Sequence, residues 1–338
     1  MRFAVAEDAA ALRSAVDAVL AVRGTPATIR AGWGGDWATV RAAWGELAAT
    51  GLAGALVGEA AGGIGLDESA LVPALERVGI SALPVPVVET VAVTAPLLEA
   101  AAHPLLADVL AGRALVAAQL TGGPLVPFGA VADFVLLADA DGALRLHERG
   151  ELAADPVRTV DASRGLLRLR ERPTGGVELA PDGPAASRAW QRGVLGVSAL
   201  LVGLADQMLG LTVGYVTKRE QFGVPVGSFQ AVKHHLADVL LAVEFARPAV
   251  LAAGWAQATD APEAARATSL AKVLATDAAT LAARTCIQCH GAIGYTTEYD
   301  LHLYAKRAWA LARSWGSADL HRARLAAELG LTDTTGRQ

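Results

Sequence analysis

The chain has 338 residues, with 29 Lys and Arg against 34 Asp and Glu, a net charge of −5. Apolar residues make up 53% and charged ones 19%; such a chain buries enough to offset its ordering entropy, which excludes disorder. No basic excess exists to neutralise phosphates, so nucleic acid is excluded as a bulk electrostatic partner.

With 5% aromatic residues, the core must be Ala, Leu and Val, which favours close-packed helices. At roughly 150 residues per domain, the length predicts two or three domains. Met1-Arg2-Phe3 is followed closely by Glu7 and Asp8 with no apolar stretch, so no targeting leader is expected. The chain reads as soluble and cytoplasmic.

Residues 1–112 read as an N-terminal helical domain. Residues 9–22 are Ala-rich and amphipathic, with Asp8 placed to suit the helix dipole. Asp36 is positioned to cap a helix over 37–50 that Gly51 stops. Asp67 precedes a helix over 68–78, and Pro84 and Pro86 break the pattern before a helical run at 90–102. Residues 113–183 read as a small antiparallel β domain. Apolar runs at 114–120 and 134–137, the Asp141-Gly142 turn, the alternating 143–147 segment and short runs at 166–170 and 177–179 are its strands.

Residues 184–331 return to helix as a C-terminal four-helix-type bundle, with long runs at 187–217, 228–257 and 261–290; a polar tail follows at 332–338. The whole reads as a multidomain α+β fold. The apolar stretch 193–217 has the length of a membrane span, but Asp206 sits near its middle between flanking Arg192 and Lys218. A helix buried inside an all-helical domain fits it better, and no membrane association is expected.

Cys286-Ile287-Gln288-Cys289-His290 has the spacing of a haem attachment site. Both Cys lie in a helical run, no other ligands complete a zinc site, and a redox pair sits at a helix start, so buried small apolar Cys is the reading. His234-His235 reads as a solvated or interface face. Gly62-Gly63-Ile64-Gly65 follows no strand, so it reads as a tight turn before the helix at 68 and not as a phosphate loop. No metal is expected.

More informative is the turn between two long helices. Lys218-Arg219-Glu220-Gln221-Phe222-Gly223 ends one, and Ser228-Phe229-Gln230-Ala231 begins the next. Arg219 offers a bidentate fork for phosphate, and a helix start at Ser228 adds free N–H groups. Such a turn suits a pyrophosphate and an adenine. The alternative is a charged turn in which Phe222 plugs the core.

At these residues the chain resembles the acyl-CoA dehydrogenase family. The resemblance runs through Arg219-Glu220-Gln221-Phe222-Gly223, Phe229-Gln230, residues 288–299 from Gln288-Cys289-His290-Gly291-Ala292 to Glu298-Tyr299, and Glu59 to Leu66; the helical–β–helical order covers the whole chain. It implies FAD, a CoA thioester substrate, α,β-dehydrogenation with electron-transfer flavoprotein as acceptor, and a tetramer built around the C-terminal helices.

The family takes the α-proton with a Glu just before a Gly-Thr/Ser. Here Trp315-Gly316-Ser317 stands at that place, and no acid lies between Asp300 and Asp319. A second family location, near Gly193, has no acid anywhere in 185–205. The catalytic residue is therefore unknown from the sequence.

The resemblance implies that Arg219, Gln221, Phe222, Phe229, Gln230, Gln288, Gly291 and Ala292 reach the adenosine end of a neighbouring subunit's FAD. Ala292 replaces a family Gly. At the flavin end Ser317 can replace a Thr, but Asp319 stands where Gln is usual, and Gln119-Leu120-Thr121-Gly122 is a remnant of the family's Thr-Glu-Pro segment. This pattern is similar to the base-lacking chain of heterotetrameric (α2β2) family members, notably those of actinobacterial steroid side-chain degradation. Two alternatives stand beside it. One is a self-sufficient homotetramer with a displaced base, Glu298 or Asp319; the other is a non-catalytic scaffold of the same fold.

Overall fold

The computed structural model describes residues 6–181 and 183–331; the tail expected at 332–338 lies outside them. Three helices open the chain: α1 (Glu7–Arg23), α2 (Pro26–Trp33) and α3 (Trp37–Ala48). Asp8 lies in the first turn of α1, as its charge favours. Helix α2, not foreseen in the sequence, starts where Pro26 follows Thr25, whose hydroxyl accepts from Thr28 N–H. Asp36 caps α3 by accepting from Thr39 N–H at 3.2 Å. Asp67 does the same for α4 (Glu68–Ser81), accepting from Ala70 N–H at 2.9 Å. The glycines at 62–65 form the expected tight turn, with Gly62 at φ +89°.

The helix expected over 90–102 is different. Residues Val88–Thr94 form a π-helix that runs directly into α5 (Ala95–Ala100), and α6 (Leu106–Leu110) follows. Pro96 cannot donate to the carbonyl four residues back, and its ring crowds that carbonyl, which disfavours one continuous α-helical ladder. The wider turn is anchored by Thr90, whose hydroxyl donates to Val116 C=O and accepts Val116 N–H, both at 3.1 Å.

The strands are β1 (Val116–Gln119), β2 (Leu125–Val126), β3 (Phe134–Ala138), β4 (Leu144–Glu148), β5 (Ala154–Pro156), β6 (Leu167–Leu169) and β7 (Val177–Ala180). They form one sheet of order β1-β3-β4-β7 and a second of order β2-β6-β5. Pairing is antiparallel except between β1 and β3, where Val116 faces Phe134 in parallel register. That corrects the purely antiparallel expectation: the chain leaves β1 to give β2 to the second sheet, then re-enters beside β1 in the same direction.

Long helices follow: α7 (Pro184–Val216), α8 (Gln230–Ala258) and α9 (Ala264–His290), then α10 (Leu301–Arg313) and α11 (Ala318–Glu328). Helix α9 packs against α7, α8, α10 and α11, while α4 lies along α7. That crossing is close. A Cβ on Gly79 would fall 2.3 Å from Leu200 O, and one on Gly203 only 2.0 Å from Glu76 O, so each helix contributes a glycine where the backbones meet. Of the described helices, α7 alone is long and apolar enough to cross a membrane; 72% of its apolar window is buried inside the fold, as in a core helix.

Candidate active site

Two places gather the polar and aromatic residues that the sequence singles out. The first is the end of the bundle where α7 stops and α9 stops. After Val216 the chain makes a small hairpin, β8 (Glu220–Gln221) with β9 (Val224–Pro225), around Phe222-Gly223. Both turn residues have positive φ, +56° and +80°, the type I′ geometry that suits a two-residue hairpin. Phe222 is 94% exposed, which overturns the idea that it plugs the core. Its ring meets that of exposed Phe229 edge-on at 6.3 Å.

Helix α8 starts at Gln230, not at Ser228. Ser228 belongs to a 3₁₀ turn, Val226–Ser228, and its hydroxyl donates back to Pro225 C=O at 2.7 Å, so it does not cap the helix. Arg219, Gln221 and Gln230 are exposed. Arg219, Lys218, Tyr215 and Tyr299 line a groove of about 550 Å³ beside Gly210 and Gly214.

Gln288 is exposed on the last turn of α9, with Gly291 and Ala292 exposed just beyond it. Gly291 has φ +64°, and nothing lies within 4 Å of where its Cβ would be. Buried His290 joins this helix end to that of α7: its ring stacks on Tyr215 at 4.4 Å and meets Tyr299 at 4.7 Å. Arg219, Gln221, Phe222, Phe229, Gln230, Gln288, Gly291 and Ala292 are thereby brought to one end of the bundle. Cys286 is buried, and burial pushes its thiol up to about 12; half-buried Cys289 is also raised by burial, so neither is a reactive thiolate. Among the described residues no group of three or more His, Cys, Asp or Glu gathers to hold a metal.

Ser317 lies elsewhere. The segment before it is fixed by Lys272 of α9, whose Nζ donates to Leu311 and Ala312 C=O at 3.0 and 3.2 Å. At 1.5 Å rise per residue, Lys272 is roughly 24 Å along α9 from Gln288. Ser317 caps α11, accepting from Leu320 N–H at 3.3 Å. Asp319 is 92% exposed and pairs with Arg322, and Glu298 is exposed; neither is among the residues that line the cavity around Trp315.

Trp315 lies at the centre of this second place. It is 8% exposed and sits in the left-handed region at φ +58°, a conformation a bulky residue keeps only where its surroundings impose it. Those surroundings are identifiable. Buried His321 contacts Trp315 O through Nε2 at 3.0 Å. Arg164 donates to Ser314 Oγ at 3.0 Å. The indole lies directly on Gly193, where a Cβ would fall 2.3 Å from the ring. The two positions at which an acid is missing from the sequence are therefore in contact, and the indole fills the space between them.

Trp315 Nε1 donates to Glu89 Oε1 at 3.3 Å. Glu89, on the π-helix, is 5% exposed, and burial raises its carboxyl above the usual range against the pull of the Arg164 and Arg307 charges. Glu89, Gln119, Thr121, Arg164, Arg313 and Trp315 are among the residues around a cavity of about 510 Å³. The sequence reading missed Glu89, although it is the only charged residue between Arg77 and Glu99, inside a run otherwise apolar enough to be buried. Such an acid is a signal in itself, because an ionisable group is kept in that setting only with partners.

Comparison with known proteins bears on both places. The family model for the acyl-CoA dehydrogenase C-terminal domain matches residues 184–330. The chain is 35% identical over 313 residues to the acyl-CoA dehydrogenase IpdE2 of Mycobacterium tuberculosis, covering 91% of this chain and 92% of that protein. It is 29% identical over 327 residues to IpdE2 of Mycolicibacterium smegmatis, covering 96% and 100%. Among solved structures, a Tcur3481-Tcur3483 steroid ACAD variant superposes with a TM-score of 0.83 at 26% identity, covering 96% of this chain and 99% of that one. The ChsE4-ChsE5 complex of Mycobacterium tuberculosis gives 0.83 at 24% identity, covering 99% and 100%.

Proposed function

The chain belongs to the acyl-CoA dehydrogenase family of oxidoreductases, and we propose that it serves there as a subunit that completes a partner's FAD site without carrying the catalytic base. In this reading a homologous partner subunit supplies the Glu that removes the substrate's α-proton, within an α2β2 assembly. FAD, held in the pair with its adenosine end on Arg219, Phe222 and Phe229, would supply hydride-acceptor chemistry toward the substrate's β-carbon; electron-transfer flavoprotein is the acceptor that family resemblance implies.

The observation that carries the reading is the opposite state of the two places. At the hairpin end the polar and aromatic groups are exposed. Arg219 offers a planar fork suited to a pyrophosphate. Phe222 and Phe229 offer flat faces for an adenine. Gln221, Gln230 and Gln288 supply amides, and the open backbone at Gly291 and Ala292 admits close approach. At the other place an indole occupies the ground where the base would stand, and the hydroxyl of Ser317 accepts from Leu320 N–H as the cap of α11. A chain built this way lends one end of a cofactor site and has lost the other.

The related ChsE4-ChsE5 and Tcur3481-Tcur3483 structures, each named for two unlike components, support a heteromeric arrangement, and the steroid ACAD among them supports a CoA thioester from steroid degradation as the substrate class. The test is the visible flavin spectrum of the chain purified alone and co-purified with a base-bearing homologue. Flavin present only in the pair, and bleached there by an acyl-CoA, is the expected result. A pair that purifies without flavin overturns the reading.

Glu89 favours one second reading, the self-sufficient homotetramer with a displaced base. It is a buried carboxylate lining the same cavity as Trp315, whereas Glu298 and Asp319 are not in that cavity. Turnover of an acyl-CoA by the lone chain, lost in Glu89→Gln, would replace the lending reading with this one.

A further inference from the structure

The cavity beside Trp315 combines apolar walls with positive charge. It measures about 510 Å³, and Leu120, Leu125, Val160, Leu166 and Trp309 supply much of its wall. Such a volume suits a small organic molecule. Two guanidiniums line it, those of Arg164 and Arg313. Arg313 is exposed, whereas Arg164 is only 7% exposed. Gln119 and Thr121 are committed to each other and to the backbone: Gln119 Oε1 accepts Thr121 N–H at 2.8 Å, and Gln119 Nε2 donates to Leu125 C=O at 2.6 Å. The arginines are therefore the charged donors left to a ligand.

Arg164 is buried without an anion of its own. It ends the 3₁₀ turn Ala162–Arg164, and its C=O accepts Phe128 N–H at 2.6 Å. Two guanidiniums lie over the Phe128 ring, Arg164 at 5.2 Å and Arg307 at 5.7 Å. Asp161 pairs with Arg307, and among the described residues no carboxylate pairs with Arg164. Arg164 donates through Nη2 to Ser314 Oγ, while its Nε has no partner. Glu89, the one acid among the lining residues, accepts instead from Trp315 Nε1. A buried cation without an ion-pair partner is costly, and a buried guanidinium N–H without an acceptor is rare enough to need a reason.

We propose that this cavity is a carboxylate-binding site, in which Arg164 receives the carboxylate of a ligand whose apolar body lies against the leucines and Trp309. Phe128 and Ser314 hold the guanidinium in place beforehand, so little ordering remains to be done on binding. Exposed Arg313 adds positive charge at the cavity. A phosphate suits the place less well, because a dianion needs more donors than one buried guanidinium edge supplies and would meet Glu89. The carboxylate can come as a free acid or as the far end of a dicarboxylic acyl-CoA; its chemistry at Arg164 is the same. Neither the partner's FAD nor its base enters this inference, so it can fail while the lending reading stands, and the reverse.

The experiment uses the lone full-length chain without flavin. Calorimetry compares each carboxylate with a neutral match: cyclohexanecarboxylate with cyclohexanecarboxamide, and adipoyl-CoA with hexanoyl-CoA. Wild type is expected to bind at least one of the two carboxylates at one site per chain, about tenfold or more tighter than its neutral match. The pair that shows the preference identifies the source. Arg164→Met keeps an apolar contact on Phe128 and is expected to abolish the preference. Val160→Trp changes a side chain that lines the cavity and is 47% exposed, so it is expected to block binding with the interior intact; it locates the site even where Arg164→Met does not fold. Carboxylates that bind no tighter than their neutral matches overturn the inference. So does a preference that survives in folded Arg164→Met, or binding that Val160→Trp leaves unchanged.

Discussion

Lys272 has no exposed surface, and among the described residues no carboxylate pairs with it. Its Nζ donates to the last carbonyls of α10 and, at 3.3 Å, to Thr276 Oγ1, so it sits at the negative end of that helix dipole. Burial first, and the Arg164 charge second, bring its ammonium down to about 7. In the unfolded chain the same group titrates near ~10.4. Between those values unfolding takes up a proton, so this site's contribution to stability rises with pH, by about 1.4 kcal/mol per unit. Below about 7 both states are charged and the slope vanishes. Lys272→Met removes this term. Urea denaturation of the two proteins at about pH 7, 8 and 9 is therefore expected to show wild type gaining on the variant at each step. A constant difference would mean that Lys272 does not titrate in this range. Because Lys272 fixes the end of α10, it also fixes the entry to Trp315 two residues beyond Arg313.

At the scale of elements, the hairpin between α7 and α8 separates a structural demand from a functional one. A type I′ turn favours Asn-Gly, and a bulky residue at its first position is strained. Phe222 keeps that position while almost wholly exposed, so its side chain contributes little to the fold of this chain. Phe222→Asn is expected to leave the lone chain's denaturation midpoint unchanged or slightly raised, and to strip flavin from the co-purified pair. If the pair keeps its full flavin content, Phe222 is not part of the shared cofactor site. The local features of these elements were legible because they are local. Asp36 and Asp67 act within three residues, and Asp141-Gly142 turns one strand into the next. The π-helix was not legible, because Pro96 and the tie from Thr90 to Val116 decide it together, and the second contact spans 26 residues. The parallel β1–β3 pair was hidden for the same reason: its direction is set by where β2 goes.

The whole molecule depends on contacts that no stretch of sequence announces. Trp315 and Glu89 are 226 residues apart, and their meeting requires α4 and the π-helix to lie on α7 while α10 lies on α9. The missing acids at 185–205 and 301–318 were readable as absences; that an indole fills both was not, because side-chain placement follows from packing. Arg307 is the residue through which this long-range order is most exposed to test. From α10 it pairs with Asp161, donates to Ser163 Oγ at 2.8 Å, and donates to the carbonyls of Ala82 and Leu83 at 3.2 Å each. One guanidinium thus joins the end of α4, the loop before β6 and the C-terminal helices. Burial pushes the Asp161 carboxyl up, but the charges of Arg307 and Arg164 and the Ser163 hydroxyl outweigh it, and the group stays ionised below the usual range. Arg307→Met strands that carboxylate in the interior, and the expected cost is about 3–5 kcal/mol. Arg307→Lys keeps the charge but has no planar fork to reach Asp161, Ser163 and two carbonyls together, so it is expected to recover less than half of the loss. Adding Asp161→Asn to Arg307→Met is expected to cost less than the sum of the two single changes, because the uncompensated charge is gone. Equilibrium denaturation of wild type and the four variants decides it: strict additivity, or full rescue by lysine, would mean that the three regions are held together by packing alone and that the buried pair contributes no coupling between them.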